Sequence, residues 1–213
     1  MSNTEIRPEG PSVQLLELGA ATLGESGGVP LNPRIRPAWR GARLAAPAYT
    51  VSCSAGDNLA VHVAVTRAPL GSVLVVDVGD VAERGYWGEV LTTAAEAAGI
   101  SGLVIDGGVR DITALEAHGF PVFATTIALQ GATKQESGSV GGSARVGGVE
   151  ISTGDWVVGD ADGVTMVPAG RLGAVIEAGQ ARADKESNFF RELRAGRTTV
   201  ELLGLDTAPI RGL

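Results

Sequence analysis

Two consecutive segments place charged residues where a buried strand meets the start of a helix. They are GYWGEVLTTAAEAAG (85–99) and GLVIDGGVRDITALEAHG (102–119). Arg110 offers a planar fork of donors that suits a carboxylate or a developing enolate oxygen. Asp111 is a hard oxygen ligand, appropriate to Mg²⁺ or Mn²⁺ with water in the remaining positions. Because Glu89 precedes Arg110 by 21 positions, with one helix and one strand between, the spacing lets these side chains converge at neighbouring strand ends.

The helix predicted within the first of these segments begins with a candidate anion site. The free N–H groups of Gly88–Leu91 form a receptor for a small carboxylate, and a glycine at 88 lets the backbone approach its ligand closely. Simpler roles explain the same residues: Asp111 as an N-cap, Glu89 as a first-turn acid, and Arg110 as the ion-pair partner of either. Spacing alone leaves both interpretations open.

The surrounding pattern predicts an α/β chain. Buried strands at 72–78, 102–106 and 121–125 alternate with helices over about 90–98 and over DITALEAH (111–118), which Gly99 and Gly119 end. Gly107-Gly108 is expected to be a turn.

The flanking regions are also interpreted by pattern. Before this unit we expect a helix over 13–24, capped by Ser12, and then an extended loop at 27–37. A strand at 42–52 should follow, in which Pro47 indicates an edge or a bulge, and after it a helix over 58–67, capped by Asp57. After it we expect short strands from about 145 and one long helix over 168–195, which Pro168 begins and Gly196 ends.

Composition limits the class of protein. The 213 residues are 44% hydrophobic and 19% charged, which predicts a single domain spanning 1–213 with a real core. A net charge of −7 argues against nucleic-acid binding. The lone Cys53 excludes an internal disulfide and any zinc site that needs two thiolates. With no signal peptide at the N-terminus and no membrane-length apolar run, we expect a cytoplasmic protein.

Several short motifs favour structural roles. GESGG (24–28) matches a nucleophile elbow only as a string and is interpreted as a turn, and DADG (160–163) is interpreted as a hairpin turn rather than a calcium loop. The glycine-rich 138–148 is interpreted as a surface loop. His62 and His118 lack metal-ligand spacing and are interpreted as structural.

The string WGEVLTTAAEAAGISGLVIDGGVRD (87–111) resembles the signature of the 4-hydroxy-4-methyl-2-oxoglutarate / 4-carboxy-4-hydroxy-2-oxoadipate aldolases, a family that includes the RraA-like ribonuclease regulators. The resemblance extends along most of the chain, through IRPAWRGARLAAPAYTV, GDNLAVHVA, GSVLVVDVGD, GFPVFA and GDWVVGDADGVTMVP in the expected order. It implies an αββα sandwich of the swivelling β/β/α type, assembled as homotrimers or homohexamers with the site at a subunit interface.

The resemblance also implies a role for each site residue. Arg110 would contact the 2-oxo oxygen, Asp111 would hold a divalent metal, and Glu89 would position or activate a water on that metal. A neighbouring subunit would contribute Glu186, which matches by its Lys-Glu context. The pyruvate carboxylate would bind the backbone N–H groups of Gly88, Glu89, Val90 and Leu91.

The implied activity is that of a class II pyruvate aldolase, a carbon–carbon lyase of aromatic-compound degradation. With Mg²⁺ or Mn²⁺ it would cleave a 4-hydroxy-2-oxo diacid to pyruvate and a second oxo acid, and it would decarboxylate oxaloacetate as a side activity through the same enolate. The alternative is a non-enzymatic RraA-like regulator of ribonuclease activity, in which the acid at the position of Glu89 is replaced. Because this chain retains Glu89, catalysis is favoured. A different metal-dependent lyase or hydrolase is the third possibility.

Overall fold

A computed structural model describes residues 10–211. Two predictions concern the ends of the chain: that it begins without a signal peptide, and that the domain spans 1–213. The ends themselves, residues 1–9 and 212–213, lie outside the described residues. The helices are α1 (Pro11–Glu25), α2 (Leu59–Arg67), α3 (Glu89–Ala97), α4 (Ile112–His118), α5 (Leu172–Arg194) and α6 (Thr199–Leu203). The strands are β1 (Val29–Pro30), β2 (Arg36–Pro37), β3 (Leu44–Cys53), β4 (Val73–Asp77), β5 (Gly85–Trp87), β6 (Gly102–Ile105), β7 (Gly108–Val109), β8 (Val122–Ala124), β9 (Thr126–Ile127), β10 (Gly138–Val140), β11 (Ser143–Val146), β12 (Val149–Ser152), β13 (Trp156–Asp160) and β14 (Gly163–Val167).

The main sheet is mixed, with the order β1-β14-β13-β3-β4-β6-β8-β2 and with β10 added to β3. Its centre, β3-β4-β6-β8, is parallel, and the outer pairs are antiparallel. A small parallel sheet, β5-β7-β9, follows the carboxyl ends of the central strands, and β11 and β12 form a separate hairpin. The mixed α/β class predicted from the sequence is confirmed.

Side chains of the central strands alternate between two cores. On β4, Leu74 and Val76 belong to the core that includes residues of α2, α3 and α4, whereas Val73 and Val75 belong to the core covered by the β11–β12 hairpin. A third cluster lies where α1 packs against α5 and against β13. Because both faces of β4 are buried, its sequence is a continuous apolar run.

The central elements match their predicted positions closely. The strands predicted at 72–78, 102–106 and 121–125 are β4, β6 and β8, and the predicted helices at 90–98 and 111–118 are α3 and α4. The DADG segment forms the β13–β14 hairpin turn, as predicted. The GESGG segment contains the end of α1 and the turn that follows it.

The first helix differs from its prediction in two ways. It begins at Pro11, a residue that suits the first helical position, so Ser12 is inside the helix and Gly10 holds the cap position. It also bends at Gly19, which has φ 77° and ψ 163°. The Asp160 carboxylate accepts the Ala20 N–H at 2.7 Å, which satisfies a donor that the bend leaves without a helical acceptor.

Two strand predictions are corrected. Pro47 marks an edge only locally: β3 is central in the sheet, but its residues 44–47 pair on one side, with β13, and pairing with β4 begins at Ala48. The loop prediction for 138–148 is wrong, since this segment contains β10, on β3, and β11, on β12. The extended loop at 27–37 contributes the two-residue strands β1 and β2.

The remaining corrections concern helix ends. Asn58, rather than Asp57, occupies the cap position of α2, although the Asp57 carboxylate accepts the Leu59 N–H at 2.8 Å. The long C-terminal helix begins with a 3₁₀ turn at Ala169–Arg171 and continues as α5, and α6 was not predicted. Within residues 10–211, no helix combines the length and apolar character needed to cross a lipid bilayer.

Candidate active site

Arg110 and Asp111 lie beside the start of α3 because two short strands run side by side. β5 pairs with β7 in parallel, and the Arg110 N–H donates to the Trp87 carbonyl at 2.9 Å. The start of α3 and the Arg110-Asp111 dipeptide therefore follow adjacent strand ends. Arg110 and Asp111 therefore meet the start of α3 at the small β5-β7-β9 sheet and not at the ends of β4 and β6, and the Glu89 side chain, predicted to converge with them, does not join them. The Gly107-Gly108 turn predicted from the sequence leads directly into β7.

Asp111 has an unusual backbone for the position it occupies. It precedes α4 with φ 59° and ψ 36°, and within residues 10–211 it is the one non-glycine residue with positive φ. Its side chain makes no capping hydrogen bond to α4; instead Oδ2 accepts the Glu89 N–H at 3.0 Å and lies 3.8 Å from the Arg110 Nε. Asp111 thus occupies the predicted N-cap position of α4, but its carboxylate does not cap that helix, since it is directed toward α3.

Gly88 is required by this carboxylate. A Cβ at position 88 would lie 2.3 Å from Oδ2 of Asp111 and 3.1 Å from Cγ of Arg110. Its φ of −167° is ordinary extended backbone, so the requirement comes from the close approach of Asp111 and not from strain. The sequence predicted that a ligand approaches the backbone at Gly88, which stays a prediction; the group that approaches it in the structure is the Asp111 carboxylate.

These residues line a pocket of about 240 Å³. One wall is the start of α3, with Gly88, Val90 and Leu91, and another carries Arg110 and Asp111. Since Thr92 is the first residue of α3 to donate within the helix, the Val90 and Leu91 N–H groups have no helical acceptor. The Glu89 N–H is already bound to Asp111, so it is not free for a ligand.

Residues that the sequence analysis missed complete the pocket. The loop after β9 contributes Gly131, Ala132 and Lys134. The start of α2 contributes Asn58 and also His62, which the sequence analysis interpreted as structural. Their spacing of four residues on one helix face was the available signal; the loop offered none.

Asp57 ties the loop after β9 to α2. Its carboxylate accepts the Gln135 N–H at 2.6 Å, the Leu59 N–H at 2.8 Å and the Thr133 hydroxyl at 2.8 Å. Burial by itself raises the pKa of Asp57, but these donors outweigh it and lower the pKa to about 2. The loop wall is therefore held by an ionised carboxylate.

The two glutamates predicted to act in the site do not line this pocket in the described chain. The Glu89 side chain is 57% exposed, and its Oε1 lies 3.8 Å from Nε2 of His118. The other ring nitrogen of His118, Nδ1, contacts Glu96 at 2.8 Å. Glu186 is on α5, where it pairs with Arg182 at 2.9 Å, and α5 packs on α1. A pocket role for either carboxylate stays a prediction.

The chemistry available in the pocket is limited to a few groups. Within residues 10–211, no three His, Cys, Asp or Glu side chains come together as a metal site. Oδ1 of Asp111 makes no hydrogen bond to the described residues, and the side chain is 43% exposed. One open carboxylate beside space for water and substrate oxygens fits Mg²⁺, which keeps several waters and few protein ligands. Burial raises the pKa of Cys53 to about 12, so its thiol is not a nucleophile here.

Similar proteins share this architecture. The chain is 37% identical over 158 residues to a protein of Halalkalibacterium halodurans named "Putative 4-hydroxy-4-methyl-2-oxoglutarate aldolase", a match that covers 74% of this chain and 75% of that protein. A crystal structure of an uncharacterized protein from Pseudomonas syringae pv. tomato has a TM-score of 0.79 at 26% identity and covers 92% of this chain and 95% of that one. The RNA-processing inhibitor RraA from Thermus thermophilis has a TM-score of 0.64 at 26% identity, over 70% of this chain and 92% of that one. Residues 19–166 match the RraA-like family described as Aldolase/RraA, and the chain belongs to that family.

Proposed function

We propose that this protein is a class II pyruvate aldolase that cleaves a 4-hydroxy-2-oxo diacid to pyruvate and a second oxo acid. The observation that carries the proposal is the meeting of the Arg110 guanidinium and the Asp111 carboxylate at the start of α3, in one pocket. The similarity to aldolase-named relatives supports the same activity.

The start of α3 binds the pyruvyl carboxylate. The Val90 and Leu91 N–H groups lack helical acceptors, and the positive end of the helix dipole adds to the attraction for an anion. This contact fixes the 2-oxo acid end of the substrate beside Arg110.

Arg110 stabilises the charge that develops during cleavage. When the C3–C4 bond breaks, its electron pair moves onto the 2-oxo carbon unit as an enolate, and the guanidinium hydrogen-bonds the enolate oxygen. This interaction is stronger in the transition state than in the ground state, which is the requirement for catalysis. Protonation of the enolate at C3 then gives pyruvate.

Asp111 would hold Mg²⁺ or Mn²⁺ through its open oxygen, Oδ1. The bound cation would supply Lewis-acid stabilisation of the same negative charge. The hydrogen bond from the Glu89 N–H to Oδ2 holds the carboxylate in place and leaves Oδ1 without a hydrogen bond to residues 10–211.

The C4 hydroxyl must lose its proton to a base as the C3–C4 bond breaks. Glu89 and Glu186 are the proposed bases. Glu89 reaches the pocket only by turning from His118, and Glu186 only from a second copy of the chain. The second route requires the proposed homotrimer or homohexamer, which analytical ultracentrifugation tests directly.

The decisive experiment measures pyruvate release with lactate dehydrogenase, over a panel of 4-hydroxy-2-oxo diacids and oxaloacetate. We expect turnover with Mg²⁺ or Mn²⁺ and loss of turnover in EDTA. We expect Arg110→Ala and Asp111→Ala to lower kcat at least about 100-fold, the cost of removing one group that stabilises developing charge. Arg145→Ala, on the exposed side of β11, is the matched control and should behave as wild type. Pyruvate release that is unaffected by both pocket variants would refute the assignment.

A non-enzymatic role is the second candidate, because the fold is also that of the RNA-processing inhibitor RraA from Thermus thermophilis. In this case the pocket would be dispensable. Inhibition of a ribonuclease by the wild type and by Arg110→Ala alike, together with no pyruvate release from any substrate of the panel, would favour this role over the aldolase.

A further inference from the structure

The ring of His118, the last residue of α4, lies between two carboxylates of α3. Its Nδ1 lies 2.8 Å from Oε2 of Glu96, and its Nε2 lies 3.8 Å from Oε1 of Glu89. Glu89 and Glu96 are the charged residues of α3, the helix that packs on α4. Glu116, the other charged residue of α4, makes no ion pair within residues 10–211. His118 therefore faces two acids, and one of them is a proposed base.

The contact with Glu96 determines which ring nitrogen of His118 carries a proton. Glutamate carboxylates are ordinarily ionised above pH 5, and an ionised carboxylate only accepts hydrogen bonds. Nδ1 must therefore carry the proton that is donated to Glu96 at 2.8 Å. A second proton, on Nε2, is present only in the imidazolium form, and in the neutral ring Nε2 has a lone pair instead.

The nitrogen that faces Glu89 is thus a donor when the ring is charged and an acceptor when it is neutral. The imidazolium attracts the Glu89 carboxylate, whereas a lone pair on Nε2 offers it no hydrogen bond. Among residues 10–211 the ion pair with His118 is the one polar contact of the Glu89 carboxylate. Histidine is the side chain whose charge ordinarily changes between pH 5 and 8, so this contact is lost within that range.

We propose that the charge on His118 decides where the Glu89 carboxylate lies, an inference that rests on the proposed function, in which Glu89 is one of the two bases. The imidazolium holds Glu89 outside the pocket, and the neutral ring releases it to turn toward the pocket. His118 is thus a positioning residue, which acts through Glu89 and touches no substrate. Because the two side chains are 27% and 57% exposed, we expect the ion pair to shift the position of Glu89 by no more than about fivefold.

The first test is an NMR titration of the histidine rings, which needs neither substrate nor metal. The chain has two histidines, so His62→Gln assigns both signals. Glu89→Gln removes a negative charge that favours the imidazolium, and it should lower the pH midpoint of His118 by up to about 0.7, the equivalent of about fivefold. Glu116→Gln, at an exposed position of α4, is the matched control and should move the midpoint less. The ring-nitrogen shifts of neutral His118 should show its proton on Nδ1.

The second test measures pyruvate release against pH, as the ratio of variant to wild type at each pH, so that the effects of other titrating groups cancel. His118→Leu cannot hold Glu89, and it should exceed the wild type by up to about fivefold at the acid end of the range and equal it at the alkaline end. His118→Lys keeps a cation throughout, so it should equal the wild type at the acid end and fall below it at the alkaline end. Structural damage would instead lower activity at both ends alike, and thermal melts of both variants are recorded in parallel.

The outcomes separate the positioning role from the proposed function. A midpoint of His118 that depends on Glu89, with the neutral ring protonated on Nδ1, supports the positioning role even in a protein that releases no pyruvate, a result that refutes the aldolase alone. A midpoint that Glu89→Gln moves no more than Glu116→Gln, or a neutral ring protonated on Nε2, overturns the positioning role. Pyruvate release with one and the same pH profile in the wild type, His118→Leu and His118→Lys also overturns it and leaves the aldolase standing.

Discussion

Gly88→Ala tests the geometry of the site without removing any functional group. The added Cβ would lie 2.3 Å from Oδ2 of Asp111, and side-chain carbons in proteins essentially never approach another heavy atom closer than 3.0 Å. The carboxylate must therefore move by at least about 0.7 Å, and its hydrogen bond with the Glu89 N–H, now 3.0 Å, must lengthen or break. Because φ at Gly88 is −167°, alanine meets no backbone strain there.

The expected consequences for stability and activity differ in size. A hydrogen bond to a charged group contributes about 1.5–3 kcal/mol, and partial exposure of Asp111 reduces its loss to about 1–2 kcal/mol. For a chain of this length that lowers Tm by roughly 2–8 °C. Displacement of a site residue by about 1 Å lowers the rate about 100-fold, so kcat for pyruvate release should fall by about that factor.

The assays are differential scanning calorimetry and the coupled pyruvate assay. Gly173→Ala, in α5, is the matched control: a Cβ there meets nothing within 4 Å, and Tm and activity should not fall. A Gly88→Ala protein with wild-type kcat would refute the reasoning, because the fixed position of Asp111 would then be irrelevant to turnover.

Three further predictions follow from other contacts. Since the folded pKa of Asp57 is about 2, against an ordinary value of 3.8, its ionised form stabilises the fold above about pH 4, and this stabilisation is lost as the pH falls toward 2. Asp57→Asn should therefore remove this pH-dependent stabilisation from acid-unfolding curves, and acid-unfolding curves identical to those of the wild type would contradict it. Asp106→Asn should lower Tm by about 2–8 °C in calorimetry, because it removes the carboxylate charge and one of the two oxygens that accept from Arg34 at 2.6 and 2.7 Å, and an unchanged Tm would show that this ion pair contributes nothing. Glu186→Ala should reduce pyruvate release while Glu177→Ala, exposed on the same helix, should not; equal activity of the two would remove Glu186 from the mechanism.

The parts of the fold that the sequence predicts are those with a strong local signal. β4 and β6 are continuous apolar runs because both of their faces are buried, and α3 ends at a glycine with φ 71°. Such signals depend on a few neighbouring residues. They place each element within one or two positions of its structural limits.

The parts that the sequence does not predict depend on distant pairing. β5, β7 and β9 have three, two and two residues, too few to show an alternating pattern, and they are strands only because they pair with one another. The loop after β9 has no periodicity, yet Asp57 holds it against α2 from 76 positions away along the chain. The β5-β7-β9 sheet and the loop after β9 together build about half of the pocket. Sequence spacing therefore found Arg110 and Asp111 but not Lys134, which lies on that loop.

The largest departure from local expectation is at Asp111. An aspartate before a helix ordinarily caps that helix from extended backbone, whereas this one adopts a left-handed conformation and directs its carboxylate to the first N–H of a different helix. Local preference is set aside where a site needs a particular geometry, and the surrounding structure must then hold the residue in place. Here that support is the absence of a side chain at Gly88 and the donor at Glu89, two neighbours that leave Oδ1 free. The conformation of Asp111 therefore requires glycine at position 88. In a relative with another residue at position 88, we expect the aspartate carboxylate to lie elsewhere.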